Sequence, residues 1–411
     1  MNLKKIKRRL IAFPESELYR LTVQTDDNII CFESSPDYAD NSWALFKYMV
    51  DEGYNKKYKL YWIADKHNEA IENLENVHVV LRKDYTEAVK LLYRSKFVFY
   101  THGMTGLIRI KDDQTVVNLW HGCGYKASRN KDVQKNIFSL KKLLNSSKMN
   151  FDYVLVPGKA FVKTKSVFFN CKEEQAIPIG YPRYDLISSA CPQWAELKQA
   201  WGIDDNQFIL WMPTYRKTGD NSYKENNMTN QYWLPLLHSD EELSLLNDCC
   251  AANHVKLVIK KHRLQSVFLK EGMQLSNIVF IDDSDLEKYG VQLYEILQFS
   301  DALITDYSSI AIDYLLLDKP IAFTLDDYEE YASKRGFVFE DAKKYMPGHH
   351  VTDLDGINDF FSDVRNGIDR YQEARQEVLP QLQNKCDGYS KRVLEYFGIG
   401  ILGTSYPTCR A

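Results

Sequence analysis

Short runs rich in β-branched and aromatic residues alternate with longer segments of helical periodicity along almost the whole chain, the pattern of parallel strands joined by crossover helices. In the first half these runs are IICFE (29–33), KLYWIA (59–64), VHVVL (77–81), KFVFY (96–100), TVVNLW (115–120) and DYVLVP (152–157), with helical segments such as 41–52 and 86–94 between them. A more polar stretch containing Pro192 follows. The pattern then restarts with QFILWMP (207–213), VKLVIK (255–260), NIVFI (277–281), DALIT (301–305) and PIAFT (320–324), and a long helical stretch over 369–397 ends it. The class is α/β, with two Rossmann-like halves bounded at 29–195 and 196–370, a basic segment over 1–28 and a terminal helix and tail over 371–411. Ligands of open α/β sheets bind outside the carboxyl ends of strands, so two facing halves would place an active-site cleft between domains.

Composition narrows the class. A chain of 411 residues, 45% hydrophobic and 26% charged, is too long for one ordinary core and has the balance of a soluble two-domain protein. Its net charge of -4 offers no global attraction to nucleic acid, and no run of apolar residues is long enough to span a bilayer. The 8 cysteines are scattered without a C-x-x-C pair, which fits a reducing, cytoplasmic setting. The start, MNLKKIKRRLIAF, is basic but lacks the apolar length of a signal peptide. Leu3, Ile6 and Leu10 share a helical face among its lysines and arginines. A second basic region carries Lys126, Arg129, Lys131, Lys135, Lys141, Lys142 and Lys148 against Asp132, with Ile137, Leu140, Leu143 and Leu144 at helical spacing. Each basic segment reads either as an anionic-membrane contact or as a solvated helix face packed on its own core.

Four motifs fall at strand ends. In VVNLWHGCGYK (116–126), His121 follows the strand, and an imidazole takes a hydroxyl proton near neutral pH; a structural histidine at a strand end is the alternative. MPTYRKTG (212–219) brings Arg216, whose planar fork suits phosphate, or is an ordinary surface loop. VIKKHRL supplies Lys260, Lys261 and His262, of which strand alternation sends Lys260 and His262 to one side. SDALITDYSSIAIDYLLLDKP (300–320) runs from a strand ending at Asp306 into an amphipathic helix. Ser308 or Ser309 serves there as N-cap, the free amides suit phosphate oxygens, and Asp313 lies about one turn in. Weaker signals are Asp283-Ser284-Asp285, a D-x-D pattern set in a turn-rich loop, Cys123 beside His121, and His349-His350, read as an exposed loop. None supplies a convincing metal site.

Jointly, FESSPDYADN (32–41), NLWHG (118–122), IGYPRYD (179–185), MPTYR (212–216), KKH (260–262), LITDYSSIAIDY (303–314) and the YASKRGFVFED to MPG stretch (331–348) resemble the CDP-glycerol glycerophosphotransferase family, the teichoic acid primases and polymerases and related capsule polymerases. The resemblance spans roughly 29–395. It implies a GT-B-like pair of Rossmann domains: an N-terminal acceptor domain carrying the catalytic base and a C-terminal domain holding a CDP-polyol donor, with no tightly bound cofactor or metal. Under it His121 is the base that deprotonates the acceptor hydroxyl, and Arg216, Lys260, His262, Thr305, Ser308 and Ser309 hold the donor pyrophosphate. Asp313 contacts the polyol, while Lys126, Arg129, Lys131, Lys135, Lys141 and Lys142 meet the membrane or acceptor. The implied reaction moves glycerol phosphate or ribitol phosphate from CDP-glycerol or CDP-ribitol to an undecaprenyl-linked glycan, at an anionic membrane surface on the cytoplasmic face. A nucleotide-sugar glycosyltransferase on the same scaffold and a non-catalytic nucleotide- or glycan-binding module are the rival readings. The chain departs from the family where Cys123-Gly124 replaces a common threonine-proline pair and where Arg263 follows His262 in place of proline.

Overall fold

The computed structural model describes residues 15–102, 104–105, 109–127, 151–214, 234–261 and 273–400. The chain divides into two compact units, the first built from residues 1–121, 130–186 and 384–411 and the second from 122–129 and 187–383.

In the first unit, β1 (Asp26–Glu33), β2 (Lys59–Ala64), β3 (Val77–Leu81), β4 (Ser95–Tyr100), β5 (Thr115–Asn118), β6 (Tyr153–Leu155) and β7 (Ala176–Ile177) form one parallel sheet in the order β3-β2-β1-β4-β5-β6-β7. Ile29, Ile30, Cys31 and Phe32 are all fully buried, because crossover helices cover both faces of a doubly wound sheet and remove the need for alternation. Phe32 stacks between Trp62 and Phe99, at 5.6 and 5.8 Å, and so ties β1 to both neighbours. Strand order reverses between β1 and β4, which makes their carboxyl ends the switch point where such sheets bind ligands.

The second unit repeats the plan. β8 (Gln207–Met212), β9 (Val255–Lys260), β10 (Ile278–Ile281), β11 (Ala302–Thr305), β12 (Ile321–Thr324) and β13 (His349–Val351) are parallel in the order β10-β9-β8-β11-β12-β13, with the switch point between β8 and β11. Helices Asp240–Ala252 and Leu354–Arg365 close one face with Leu243, Leu246, Ile357, Phe360 and Phe361. Ser239 caps the first of these through the amide of Glu242.

Every strand expected from the pattern is present, and three local expectations need correction. His349-His350 is no loop but the start of β13, paired with β12, where His349 approaches Asp363 at 3.4 Å and His350 Nε2 lies 2.9 Å from the Met346 carbonyl. Asp283-Ser284-Asp285 is helical within Asp283–Glu287, capped by the Asp282 carboxylate. The segment after Ser309 is helical as expected, Ile310–Tyr314 continued as a 3-10 turn and stopped by left-handed Asp318. The terminal stretch is two helices, Gln372–Leu382 and Tyr389–Tyr396, because Gln383 turns extended and Gly388 adopts a positive φ of 81°. The chain leaves the second unit at this break: Gln383 donates to the Ile312 carbonyl, and Asn384 donates to the carbonyls of Pro157 and Pro178 in the first.

Residues 1–14, with the N-terminal basic face, and Arg129 to Lys148 lie outside the described residues. Lys126 is described, and it forms an antiparallel bridge with Phe337. Among the described residues no helix is long and apolar enough to cross a membrane.

Candidate active site

His121 sits where β5 breaks. The strand stops at Asn118, whose side-chain oxygen accepts the Trp120 amide at 2.9 Å, and Trp120 takes a left-handed backbone at φ 57°. A non-glycine residue there stores strain of order 1–3 kcal/mol, so the surroundings must hold the turn. They do so through two other sequence motifs. Asn41 Nδ2 donates to the carbonyls of Leu119 and Trp120, at 3.3 and 2.7 Å, and Asn41 Oδ1 accepts the Arg183 amide at 3.1 Å. The Arg183 guanidinium bridges the Asp40 carboxylate at 2.7 Å and the His121 carbonyl at 3.1 Å. FESSPDYADN and IGYPRYD are thus the two walls of the NLWHG turn.

The His121 ring is packed between the parallel ring of His102, 4.2 Å away, and the tilted indole of Trp120 at 3.9 Å. Its Nδ1 and the Trp120 Nε1 are buried without hydrogen-bond partners among the described residues. Burial holds the His121 pKa well below the ordinary histidine value, and the nearby His102, Lys165 and Arg183 push it the same way. The imidazole is therefore neutral at pH 7 and able to accept a proton. Sequence reasoning missed His102, although it stands at the end of β4 in Thr101-His102-Gly103 as His121 stands at the end of β5 in Trp120-His121-Gly122. That repetition was the available signal.

At the β1/β4 switch point, Glu33 is buried and accepts from the Thr105 amide at 2.8 Å and from Arg82 Nε at 3.0 Å. Arg82 also pairs with Asp37 at 3.2 Å and Asp65 at 2.6 Å. Desolvation raises the Glu33 pKa against the pull of Thr105 and Arg82, and the group braces the loop that begins FESSPD.

In the second unit, Asp306 at the end of β11 accepts the Thr214 amide at 2.9 Å, joining the carboxyl ends of β8 and β11. Thr305 is buried with its hydroxyl donated to the Met212 carbonyl at 2.7 Å. Ser308 and Ser309 are partly exposed; Ser309 holds the N-cap position without a side-chain cap bond. Gly124 packs directly on them, since a Cβ at that position would meet the Ser309 amide nitrogen at 2.9 Å. The stretch after His121 is held there by Val338 N–H to the Tyr125 carbonyl, at 2.7 Å, and Ala127 N–H to the Gly336 carbonyl, at 3.0 Å. The YASKRGFVFED motif is its clamp.

Asp313 is fully buried, and its carboxylate accepts the hydroxyl of Tyr294, a partly exposed residue that the sequence reading did not single out. Lys260 pairs with Asp283 at 2.7 Å. Arg216, His262, Arg129, Lys131, Lys135, Lys141 and Lys142 lie outside the described residues. Among the described residues no cluster of histidine, cysteine or carboxylate side chains has the form of a metal site.

The sequence profile of the family described as CDP-Glycerol:Poly(glycerophosphate) glycerophosphotransferase matches residues 17–397. Teichoic acid ribitol-phosphate primase of Bacillus spizizenii is 26% identical over 294 residues, 70% of each chain. Teichoic acid glycerol-phosphate transferase of Staphylococcus aureus is 24% identical over 404 residues, 94% of this chain and 98% of the other. A solved structure of the wall teichoic acid polymerase TagF superposes with a TM-score of 0.70 at 22% identity, covering 96% of this chain and 97% of that one, and supports the GT-B-like fold. The profile spans nearly the whole chain, and the chain belongs to the CDP-glycerol:poly(glycerophosphate) glycerophosphotransferase family, whose reaction is transfer of a polyol phosphate from a CDP-activated donor.

Proposed function

We propose that this chain transfers glycerol phosphate or ribitol phosphate from its CDP ester to a lipid-linked teichoic acid acceptor at the cytoplasmic face of the membrane, with His121 as the base. The observation that carries this reading is the His121 ring itself: neutral by burial, its turn held by Asn41 and Arg183, at the carboxyl end of β5. His121 takes the proton of the acceptor hydroxyl. That oxygen bonds to the polyol-bearing β-phosphorus, and the phosphoanhydride bond breaks with its electron pair leaving on CMP. The displacement develops charge on the leaving phosphate, so cations and amide donors serve it better than a covalent intermediate would.

Donor ligands are assigned to the second unit. The Ser308–Ser309 amides and hydroxyls, with Arg216, Lys260 and His262, hold the pyrophosphate. Asp313 serves the polyol together with the Tyr294 hydroxyl that it holds. Thr305 supports the same site by fixing the end of β11 on β8.

The basic segments at 1–10 and 126–148 are assigned to the anionic membrane and the acceptor. Support for teichoic acid as the product comes from the named relatives, which include both a ribitol-phosphate and a glycerol-phosphate enzyme. The test is CMP release from CDP-glycerol and CDP-ribitol with a polyprenyl-pyrophosphate glycan acceptor. Release with one donor and not the other fixes the polyol; release with neither, across acceptors, overturns the reading.

A further inference from the structure

We propose that Lys165 is the acceptor's anion anchor, placing a phosphate group of the acceptor beside Trp120 so that the neighbouring hydroxyl faces His121. The inference rests on the reading of His121 as the base.

Helix Val162–Phe169 follows β6 and presents Lys165 to the turn at the end of β5. The Lys165 ammonium lies over the Trp120 ring, 4.8 Å from its centroid, and 5.1 Å from that of Phe168. The His121 ring is the other close neighbour of the Trp120 indole, 3.9 Å from it. Both cations that act on His121 differ in one respect: Arg183 is neutralised by Asp40 at 2.7 Å, whereas no carboxylate of the described residues pairs with Lys165. Aromatic faces hold an ammonium without satisfying its hydrogen-bond donors, so the three N–H groups remain available to an anion. Beside them, Trp120 Nε1 is a buried donor with no partner among the described residues, and His121 Nδ1 is buried there in the same condition.

Buried polar atoms without partners are rare, and two adjacent ones next to an unneutralised cation describe a place for an oxygen-rich anion. The reaction's own anionic partners are the donor pyrophosphate and the acceptor, and the donor ligands are assigned to the other unit. An acceptor phosphate is therefore the ligand whose chemistry matches. It has two sources, the pyrophosphate that links glycan to lipid or the phosphodiester of a polyol phosphate already added.

The experiment measures initial rates at pH 8, where His121 is neutral with or without Lys165, for the wild type, Lys165→Ala, Lys165→Gln and Lys165→Arg. Two acceptors are used: a polyprenyl-pyrophosphate glycan, and the same molecule bearing one polyol phosphate. Loss of one charge-assisted contact is worth about tenfold or more in affinity. The expected result is an acceptor KM raised by about that factor in Lys165→Ala and Lys165→Gln, with donor KM within about twofold and substantial rescue by Lys165→Arg. A rise only with the extended acceptor identifies the phosphodiester; a rise with both identifies the lipid-linked pyrophosphate. An unchanged acceptor KM, a donor KM that rises equally, or a fall in kcat alone overturns the inference. An inactive wild type would instead sink the underlying functional reading, and the two failures are distinguishable.

Discussion

In the proposed reaction the chemistry turns on the His121 ring, whose charge state is set by its surroundings. Burial first, and then His102, Lys165 and Arg183, oppose protonation of His121, so the group stays neutral as pH falls through the ordinary histidine range. The acid limb of kcat/KM belonging to the proposed base therefore lies below pH 6.5, and removing one of the groups that oppose its protonation raises it toward that value. A His102→Asn enzyme is expected to show this upward shift, read from the pH profile after correction for donor ionisation. An unmoved limb would remove His102 from the electrostatics of the site. His121→Ala is expected to lower turnover by about 10²–10⁴-fold, the range for a lost general base, while CDP-glycerol still binds in calorimetry. Gly124 makes the complementary case in the second unit. A methyl at position 124 would meet the Ser309 amide nitrogen at 2.9 Å and displace the Ser308–Ser309 backbone. Gly124→Ala is therefore expected to weaken CDP-glycerol binding by about 1–3 kcal/mol, the usual cost of overpacking, and unchanged affinity would separate this turn from the donor site.

At the scale of elements, strands were legible because their apolar runs are bounded by polar turns, and the shortest were not. Ala176–Ile177 and His349–Val351 are too brief to carry a period, and β13 owes its place to pairing with Ala322, Phe323 and Thr324. The candidate base was legible as a strand-end histidine, yet the residues that set its charge and hold its turn were not: His102, Lys165 and Arg183 come from three separate segments that only the fold brings together. Proximity of that kind leaves no mark on periodicity. The break in the terminal helical stretch was invisible for a related reason. Its first helix is fixed by Arg375, buried to 1% exposure and bonded to Asp318 at 3.0 Å and to both oxygens of Asp369. Removing one partner of a buried pair costs roughly 3–5 kcal/mol, and because both aspartates keep some solvent the lower end applies. Arg375→Met is expected to destabilise the second unit by about 3 kcal/mol in urea unfolding followed by hydrogen exchange across 310–324. A loss below about 1 kcal/mol would show the network to be dispensable.

Across the whole molecule the same strand order appears twice, each sheet reversing at its own switch point, and the assigned roles divide between them. The first unit carries His121 with Asn41, His102, Lys165 and Arg183 around it; the second carries the Thr214–Asp306 junction, Ser308–Ser309 and the Tyr294–Asp313 pair. The chain passes from the first unit to the second directly after His121, between His121 and Gly122, and again between Leu186 and Ile187. That division makes a prediction about location. A ligand that binds only the native state slows local opening where it binds, so saturating CDP-glycerol is expected to protect amides over 302–318 in hydrogen exchange. Amides of 29–33 in β1 are expected to exchange at the same rate with and without donor. His121→Ala serves as the control, since it removes the base and leaves this protection intact. Protection that appeared in β1 and spared 302–318 would reverse the assignment of donor and acceptor roles. Loss of all protection in His121→Ala would make His121 a donor ligand and end its case as the acceptor's base.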